Sequence, residues 1–432
     1  VLTVEGNYIH GANGTYEVEI DLDDPDYVHD RLDVKAHPSD PEQPGNVKLE
    51  GGRVLVFLEG DLKDHAGENT YTIITAEGEL EGEFEGVEGG RPTAFFDYSL
   101  SYDYSADEVK LTVTSLSFGD VAQSPNEKAV AKVLDGWGLG TPETDALFVA
   151  RTKEEARSWM NQLTGEVYTT YPVAAAMGMG RFVQAVSAGL NDPAAHEGRG
   201  GWVKLYGTAG NLQADADRNL ASAALQWVGG TAGIDLYATA KGRVGLTAGF
   251  AHSQVRMDDR NSKLSGDGYQ IGLYGRYDVG DVRMTGVLAH AKTRYDSERK
   301  IAYGHDEDLV NRTAAGRFDG NEWVVSIRGQ VARSTTGGMV LEPGFGLTWL
   351  SLSRNGFTED GAGNLDLRVD SYEASYLQGD VGVRLHLPVK ELRNGWTLNT
   401  TARAAWVHDF SRPSRDVTVR MKGSSDEPLR IQ

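Results

Sequence analysis

The segment DGYQIGLYGRYDV, residues 267–279, constrains this chain more than any bulk property does. Tyr269, Ile271, Leu273, Gly275, Tyr277 and Val279 share one register, and Gln270, Gly272, Tyr274, Arg276 and Asp278 the other. Successive side chains of a strand point to opposite faces, so one face is apolar with tyrosines near both ends while the other is small or polar. The habit returns from Gly201 onward. Val244, Leu246, Ala248 and Phe250 share a face. Trp323, Val325, Ile327 and Val331 stand opposite Glu322, Ser326, Arg328 and Gln330. Leu341, Phe345, Leu347 and Trp349 oppose Glu342 and Thr348. Leu377, Val381, Val383, Leu385 and Leu387 oppose Gln378, Asp380, Arg384 and His386. Residues 395–410 read as one strand, with Trp396, Leu398, Ala402, Ala404 and Trp406 opposite Asn399, Arg403 and Asp409.

Arg276, Arg328, Arg384 and Arg403 thus recur mid-strand on the polar face, while Tyr269, Tyr277, Trp323, Trp349, Trp396 and Trp406 lie toward the ends of the apolar one. That pattern inverts a soluble barrel: the apolar face looks into lipid, aromatics mark the headgroup levels and charges line a wet lumen. A soluble β-sandwich is the rival, and it does not account for strands this long. About nine strands are expected between 201 and 410, with a candidate tenth at 416–422. Bacterial single-chain barrels close with an even number of strands, and an open edge in lipid leaves costly unpaired backbone groups. Closing strands are therefore expected outside this sequence, and both of its ends read as cut from something longer.

The bulk numbers agree. No run of about 18 apolar residues suits a transmembrane helix, which says nothing against strands of about 9–11 alternating residues. The net charge of −21 gives nucleic acid no basic footprint. Cys 0 removes thiol chemistry, disulfides and cysteine metal sites together.

Three regions follow. Residues 1–118 are short strands and acidic turns, suited to the end of a parallel β-helix. Residues 119–200 are a linker: a loop, a short helix after Ser124-Pro125, a helix from the capping box Thr152-x-x-Glu155 to about Leu163, then a helix at about 166–190. That last segment would be about 35–40 Å long and rich in Ala174, Ala175, Ala176, Gly178 and Gly180, with a kink expected at Pro172. It is expected inside the barrel along its axis, with Arg181 meeting Asp380. Residues 201–432 are the barrel.

These stretches resemble the autotransporters of type V secretion, over essentially the whole chain. LTVEGNY…GTYEVEIDL…DRLDV looks like the passenger-end autochaperone region of that family, and TYTIITAEGELEGEF and FFDYSLSYD…EVKLTVT like its last rungs. EARSWMNQLTGEVY resembles the helical element before the pore-plugging helix. GGWVKLYGTAG, GYQIGLYGRYD and LEPGFGLTWLSLSRNGFTEDG resemble barrel strands. The resemblance implies an all-β chain with a helical linker: a β-helix end, then an antiparallel barrel, twelve-stranded in the family and truncated here. It implies an outer-membrane translocator of a Gram-negative bacterium that exports and displays its own N-terminal passenger. The implied partners are outer-membrane lipid, the barrel assembly machinery, periplasmic chaperones and the passenger segment; the chain is expected to be a monomer. The family barrel ends in an aromatic residue, whereas this sequence ends DEPLRIQ.

No catalytic, cofactor or metal residue is assigned. There is no G-x-S-x-G, and no H-E-x-x-H or other ligand spacing. His290, His386 and His408 read as structural. Asp21, Asp23, Asp24 and Asp26 lack the glycine and distal glutamate of an EF-hand loop and read as a solvated turn. The β-helical region favours adhesin-like cargo; the alternative is an enzymatic passenger, protease or esterase, whose catalytic part lies upstream.

Overall fold

The computed structural model describes residues 1–432 apart from 23–27, 41, 65–66, 192–199, 336, 389, 392–396, 399, 412 and 425–427. Asp23, Asp24, Asp26, Trp396 and Asn399 therefore lie outside the described residues. The chain divides into two compact units, Val1–Leu163 with Ala302–Asn311, and Thr164–Ile301 with Arg312–Gln432.

The first unit opens with three turns of chain, each contributing three strands. The first turn holds β1 (Leu2–Glu5), β2 (Tyr8–His10) and β3 (Thr15–Asp21). The second holds β4 (Leu32–Lys35), β5 (Val47–Glu50) and β6 (Arg53–Glu59), and the third β7 (Glu68–Ala76), β8 (Leu80–Glu83) and β9 (Gly86–Gly89). Each strand pairs in parallel with the one three later, giving the sheets β1-β4-β7, β2-β5-β8 and β3-β6-β9. This is a parallel β-helix of three rungs, as the short strands predicted. Register explains its core: Val18 stacks on Val56 and Val4 on Val34, so alternate aliphatic side chains point into one column. The hairpin β10 (Phe96–Asp103) and β11 (Glu108–Ser115) pairs antiparallel onto β7 and covers an edge that would otherwise offer unpaired backbone groups. Residues 1–118 carry 26 Asp and Glu against 7 Lys and Arg, so −19 of the chain's −21 belongs to this stretch and the remainder is near neutral.

Four helices follow: α1 (Phe118–Val121), α2 (Pro125–Trp137), α3 (Pro142–Phe148) and α4 (Lys153–Gln162). The sequence led us to expect α2 and α4 but not α1 or α3. Both unexpected helices start with reciprocal capping boxes, Ser117 with Asp120 and Thr141 with Thr144, whose partners are not the Glu or Gln that mark the motif. At α4 only half of the expected box forms. Thr152 accepts from the Glu155 N–H at 3.1 Å, while the Glu155 carboxylate turns to the Arg151 N–H at 2.7 Å. Asp135 accepts from the N–H groups of Phe118 and Gly119 at 2.8 and 3.0 Å, and burial nonetheless raises its carboxyl above the ordinary range. Residues 302–311 belong to this unit through the Ala302 N–H on Gln162 at 2.9 Å, the Tyr303 hydroxyl on the Glu143 carbonyl at 3.0 Å, and His305 against Glu155 at 3.2 Å.

The second unit is built on one antiparallel sheet. Its strands are β12 (Gly201–Leu212), β13 (Ala223–Thr239), β14 (Gly242–Met257), β15 (Ser262–Val279), β16 (Val282–His305), β17 (Asp308–Val331), β18 (Val340–Arg354), β19 (Tyr372–His386) and β20 (Thr401–Asp409). Each pairs with the next in sequence order. The expected nine strands are present. The candidate tenth is not a stave: Val417–Met421 pairs with Leu367–Val369, in a small sheet with Phe357–Thr358 and Leu429–Ile431. The stretch 395–410 is also not one strand, because Thr397–Leu398 pairs locally with Lys390–Glu391 before β20 begins at Thr401. Among the described residues no pairing joins β12 to β20.

Short and long strand connections occur at both ends of the sheet. At one end, the turn end, β13–β14 and β15–β16 are joined by two residues each, 240–241 and 280–281. At the other, the loop end, lie the connections 213–222 and 355–371 and the two-residue turn 306–307. The faces are inverted as the alternation required. On β15, Tyr269, Ile271, Leu273, Tyr277 and Val279 are 71, 63, 47, 56 and 57% exposed, while Gln270 and Tyr274 are 6 and 2% exposed. From Tyr269 to Val279, ten steps of about 3.4 Å tilted by about 40° rise about 26 Å, the height of an apolar barrel belt. Beyond Tyr269 toward the loop end the same outward face becomes Asp267, Ser265 and Lys263.

Candidate translocation pore

Gly165, in the left-handed region at φ 70°, ends the preceding helical stretch. A 3-10 turn (Glu166–Thr170) then leads into α5 (Tyr171–Leu190). Pro172 sits in the first turn of α5, where its missing N–H costs no bond, so it starts the helix and does not kink it. Among the described residues, Glu166–Leu190 is the one helical stretch long and apolar enough to cross a bilayer. Its contacts put it elsewhere, on the inward face of the sheet. The Trp227 indole N–H donates to the Ala174 carbonyl at 3.2 Å. Gly178 lies under the same ring, and a Cβ on Gly189 would stand 2.4 Å from Trp202. Phe182 approaches Gly249 of β14. A small residue on one side thus faces a large one on the other, which lets the two backbones approach closely.

Both ends of the helix are held. At the loop end, Glu166 accepts from Arg260 at 2.7 Å and from the Ala221 N–H at 2.7 Å. The Tyr168 hydroxyl bonds Ser297 at 3.0 Å and donates to Glu359. Glu359 also accepts from Arg299 at 2.6 and 2.7 Å and from the Leu367 N–H at 2.7 Å, and both charged side chains are buried. The pair is thus supplied with the extra hydrogen bonds a buried ion pair needs. The Tyr171 hydroxyl donates to the Ser353 carbonyl at 2.9 Å, and the Arg354 guanidinium lies over the rings of Tyr171, Phe318 and Phe357. At the turn end, Arg276 donates to the Leu190 carbonyl at 3.1 Å, the pole of a helix where a cation is favoured.

The four arginines read as lumenal all stand on the inward face. Arg276 pairs with Asp278 at 2.6 Å. Arg328 and Arg403 share Asp380 at 2.6 and 2.7 Å, and Arg384 lies 3.7 Å from Glu342. The expected Arg181–Asp380 contact does not form, because Asp380 is already held between two guanidinium groups. Arg181 donates instead to Thr208 at 3.1 Å. His386 bonds Glu342 at 3.1 Å on the same face. The sequence reading missed Glu166, Arg260, Arg299, Arg354 and Glu359. Only the strand parity of Arg299 and Arg354 could have signalled them. Among the described residues no group of three or more His, Asp or Glu is placed to hold a metal.

The result is a polar wall around a helix, inside a sheet whose outer face is apolar. The sequence profile described as Autotransporter beta-domain matches residues 201–429, more than half of the chain. The chain belongs to this family. Translocator domains of the family are outer-membrane β-barrels of Gram-negative bacteria, and this chain carries one. Among curated relatives, an "Extracellular serine protease" of Serratia marcescens is 22% identical over 446 residues, covering 87% of this chain and 40% of the relative. A second protein of the same name and organism is 21% identical over 417 residues, covering 82% and 38%. The chain thus spans about two-fifths of the length of these relatives. Solved structures with likeness include the translocator domain of the autotransporter NalP from Neisseria meningitidis, 20% identical with a TM-score of 0.47, covering 59% of this chain and 86% of that one. The beta domain of the Bordetella autotransporter BrkA is 20% identical with a TM-score of 0.37, covering 51% and 82%. The transport unit of AIDA-I from Escherichia coli is 15% identical with a TM-score of 0.34, covering 58% and 82%. The family assignment rests on the sequence match.

Proposed function

We propose that this autotransporter chain exports its own N-terminal part across the outer membrane and holds it at the cell surface. Residues 201–432 act as the translocator, the helix at 166–190 fills the pore once export is complete, and residues 1–118 serve as the passenger-end region that seeds folding outside. The observation that carries this reading is the inversion of faces: arginines and carboxylates on the side that meets α5, an apolar belt about one bilayer core high on the other. Assembly of the barrel draws on the outer-membrane insertion machinery and periplasmic chaperones, and the barrel works as a monomer. The test uses the protein as its gene encodes it, expressed in a Gram-negative host. An epitope placed in the turn at Gly11-Ala12 should be cut by protease added to intact cells, and deletion of 201–432 should leave it protected. Protection in both cases, or cleavage in both, contradicts the proposal.

A second reading concerns the cargo. The β-helical character of residues 1–118 favours an adhesin-like passenger, but two relatives are named extracellular serine proteases, which favours an enzymatic passenger outside these residues. Hydrolysis of a fluorogenic peptide by intact cells, abolished by a serine-directed inhibitor, would decide for the protease.

A further inference from the structure

We propose that the outward face of β15–β17, just above the apolar belt on the loop side, binds the phosphate group of a membrane lipid through Lys292 and Arg294. The proposal rests on reading the outer face as the lipid face. Lys292 is the cross-strand partner of Tyr269, the residue at the upper edge of the belt on β15, and Arg294 is the next outward residue of β16. The two side chains are 64 and 68% exposed, and they share a single carboxylate, Asp319, at 3.4 and 3.8 Å. Their other acidic neighbours are engaged. Asp267, opposite Arg294, turns to His252 at 2.8 Å. Asp296 holds Arg317 at 2.7 Å, and Glu298 holds Lys263 at 3.2 Å.

Two cations that reach one carboxylate lie close enough together to reach one phosphate at the level where headgroups sit. Two aromatic pairs lie level with or next to them on the outward face. Phe250 and Tyr269 rings are 5.4 Å apart on one side, and His290 and Trp323 rings 4.5 Å apart on the other. Rings of this kind settle at the interface and leave the acyl chain against Ile271 and Leu273 below. At the turn end, Arg333 is instead matched one to one by Asp281. The site lies on the loop side, and it selects a lipid of that leaflet that exposes a phosphate monoester.

The test is native mass spectrometry of the protein as its gene encodes it, in detergent, with three probes: a glucosamine lipid bearing phosphate monoesters, a phosphatidylcholine, and inorganic phosphate. The wild type should retain the phosphorylated lipid in preference to phosphatidylcholine. The double variant Lys292→Ala/Arg294→Ala should lose about thirtyfold in affinity, the ordinary value for two basic side chains at an anionic surface. The exchange Lys292→Arg/Arg294→Lys should retain it. Both positions lie outside the belt, so barrel folding, followed by gel mobility with and without heating, should be unchanged in every variant. Equal lipid retention by the double variant overturns the proposal, and so does inorganic phosphate binding as tightly as the lipid. The membrane reading itself is tested separately, by the depth of the belt on β15.

Discussion

A single arginine moved along one face of β15 measures where the membrane lies. Leu273 is four residues below Tyr269 on the outward face, about 10 Å down at about 3.4 Å per residue and about 40° of tilt. The belt is about 26 Å high by the same geometry, so Leu273 sits near its middle, where an arginine on the lipid face costs about 2–4 kcal/mol. Ser265 is four residues above Tyr269 on the same face and opposite Asp296 on β16. Ser265→Arg should then cost about 0–1 kcal/mol, the value near or beyond an interface. An inward control at Gln270 is less clean, because that side chain is 6% exposed and bonded by the Tyr206 hydroxyl at 3.3 Å; Gln270→Arg would crowd the helix. The assay is urea unfolding of the protein as its gene encodes it, folded into lipid vesicles. If Ser265→Arg destabilises as much as Leu273→Arg, or if neither does, the belt is misplaced and the inside–outside assignment falls with it.

Other outcomes follow from the same contacts. Glu359→Gln leaves Arg299 buried without its charge partner and should cost about 3–5 kcal/mol, read as loss of hydrogen-exchange protection at Glu166–Thr170. Gly189→Val places a side chain into Trp202 and should cost about 1–3 kcal/mol of barrel stability by the urea assay. In the β-helix, hydrogen bonds from Arg31 and Thr75 hold the Asp33 carboxyl below its ordinary value of 3.8. Its contribution is therefore present above that value and lost as pH falls through the lower folded one. Asp33→Asn should destabilise the first unit at neutral pH, and the gap to wild type should close below about pH 4 in thermal melts. A gap that widens with acid contradicts that assignment.

What the sequence disclosed, and what it hid, follows from the range of each interaction. A two-residue alternation is local, so Tyr269 to Val279 declared both a strand and its faces. The same alternation put Arg276, Arg328, Arg384 and Arg403 inside. The short strands of the first unit were legible for the same reason, since Val18 and Ile20 alternate with Glu17 and Glu19. The anchors of the helix were not legible. Arg260 and Glu166 are 94 residues apart, and Arg299 and Glu359 are 60 apart, with neither carboxylate on a strand of the main sheet. Partners of that kind are chosen by how the wall curls around the helix and leave no periodic trace. The arginine expected to find a carboxylate, Arg181, did not, because pairing among lumenal charges is competitive and Asp380 already had two partners. Pro172 misled for a different reason: proline marks a kink in mid-helix and a start in the first turn, and only the location of the helix start separates the two.

The central claim is that α5 fills a pore whose outer wall faces lipid. Single-channel conductance in planar bilayers tests it directly, comparing the protein as its gene encodes it with a variant lacking Tyr171–Leu190. The intact protein should show small or rare openings, and the deletion should give a stable, larger conductance of the same barrel. Equal conductance in the two would place the helix outside the path of ions and contradict the account.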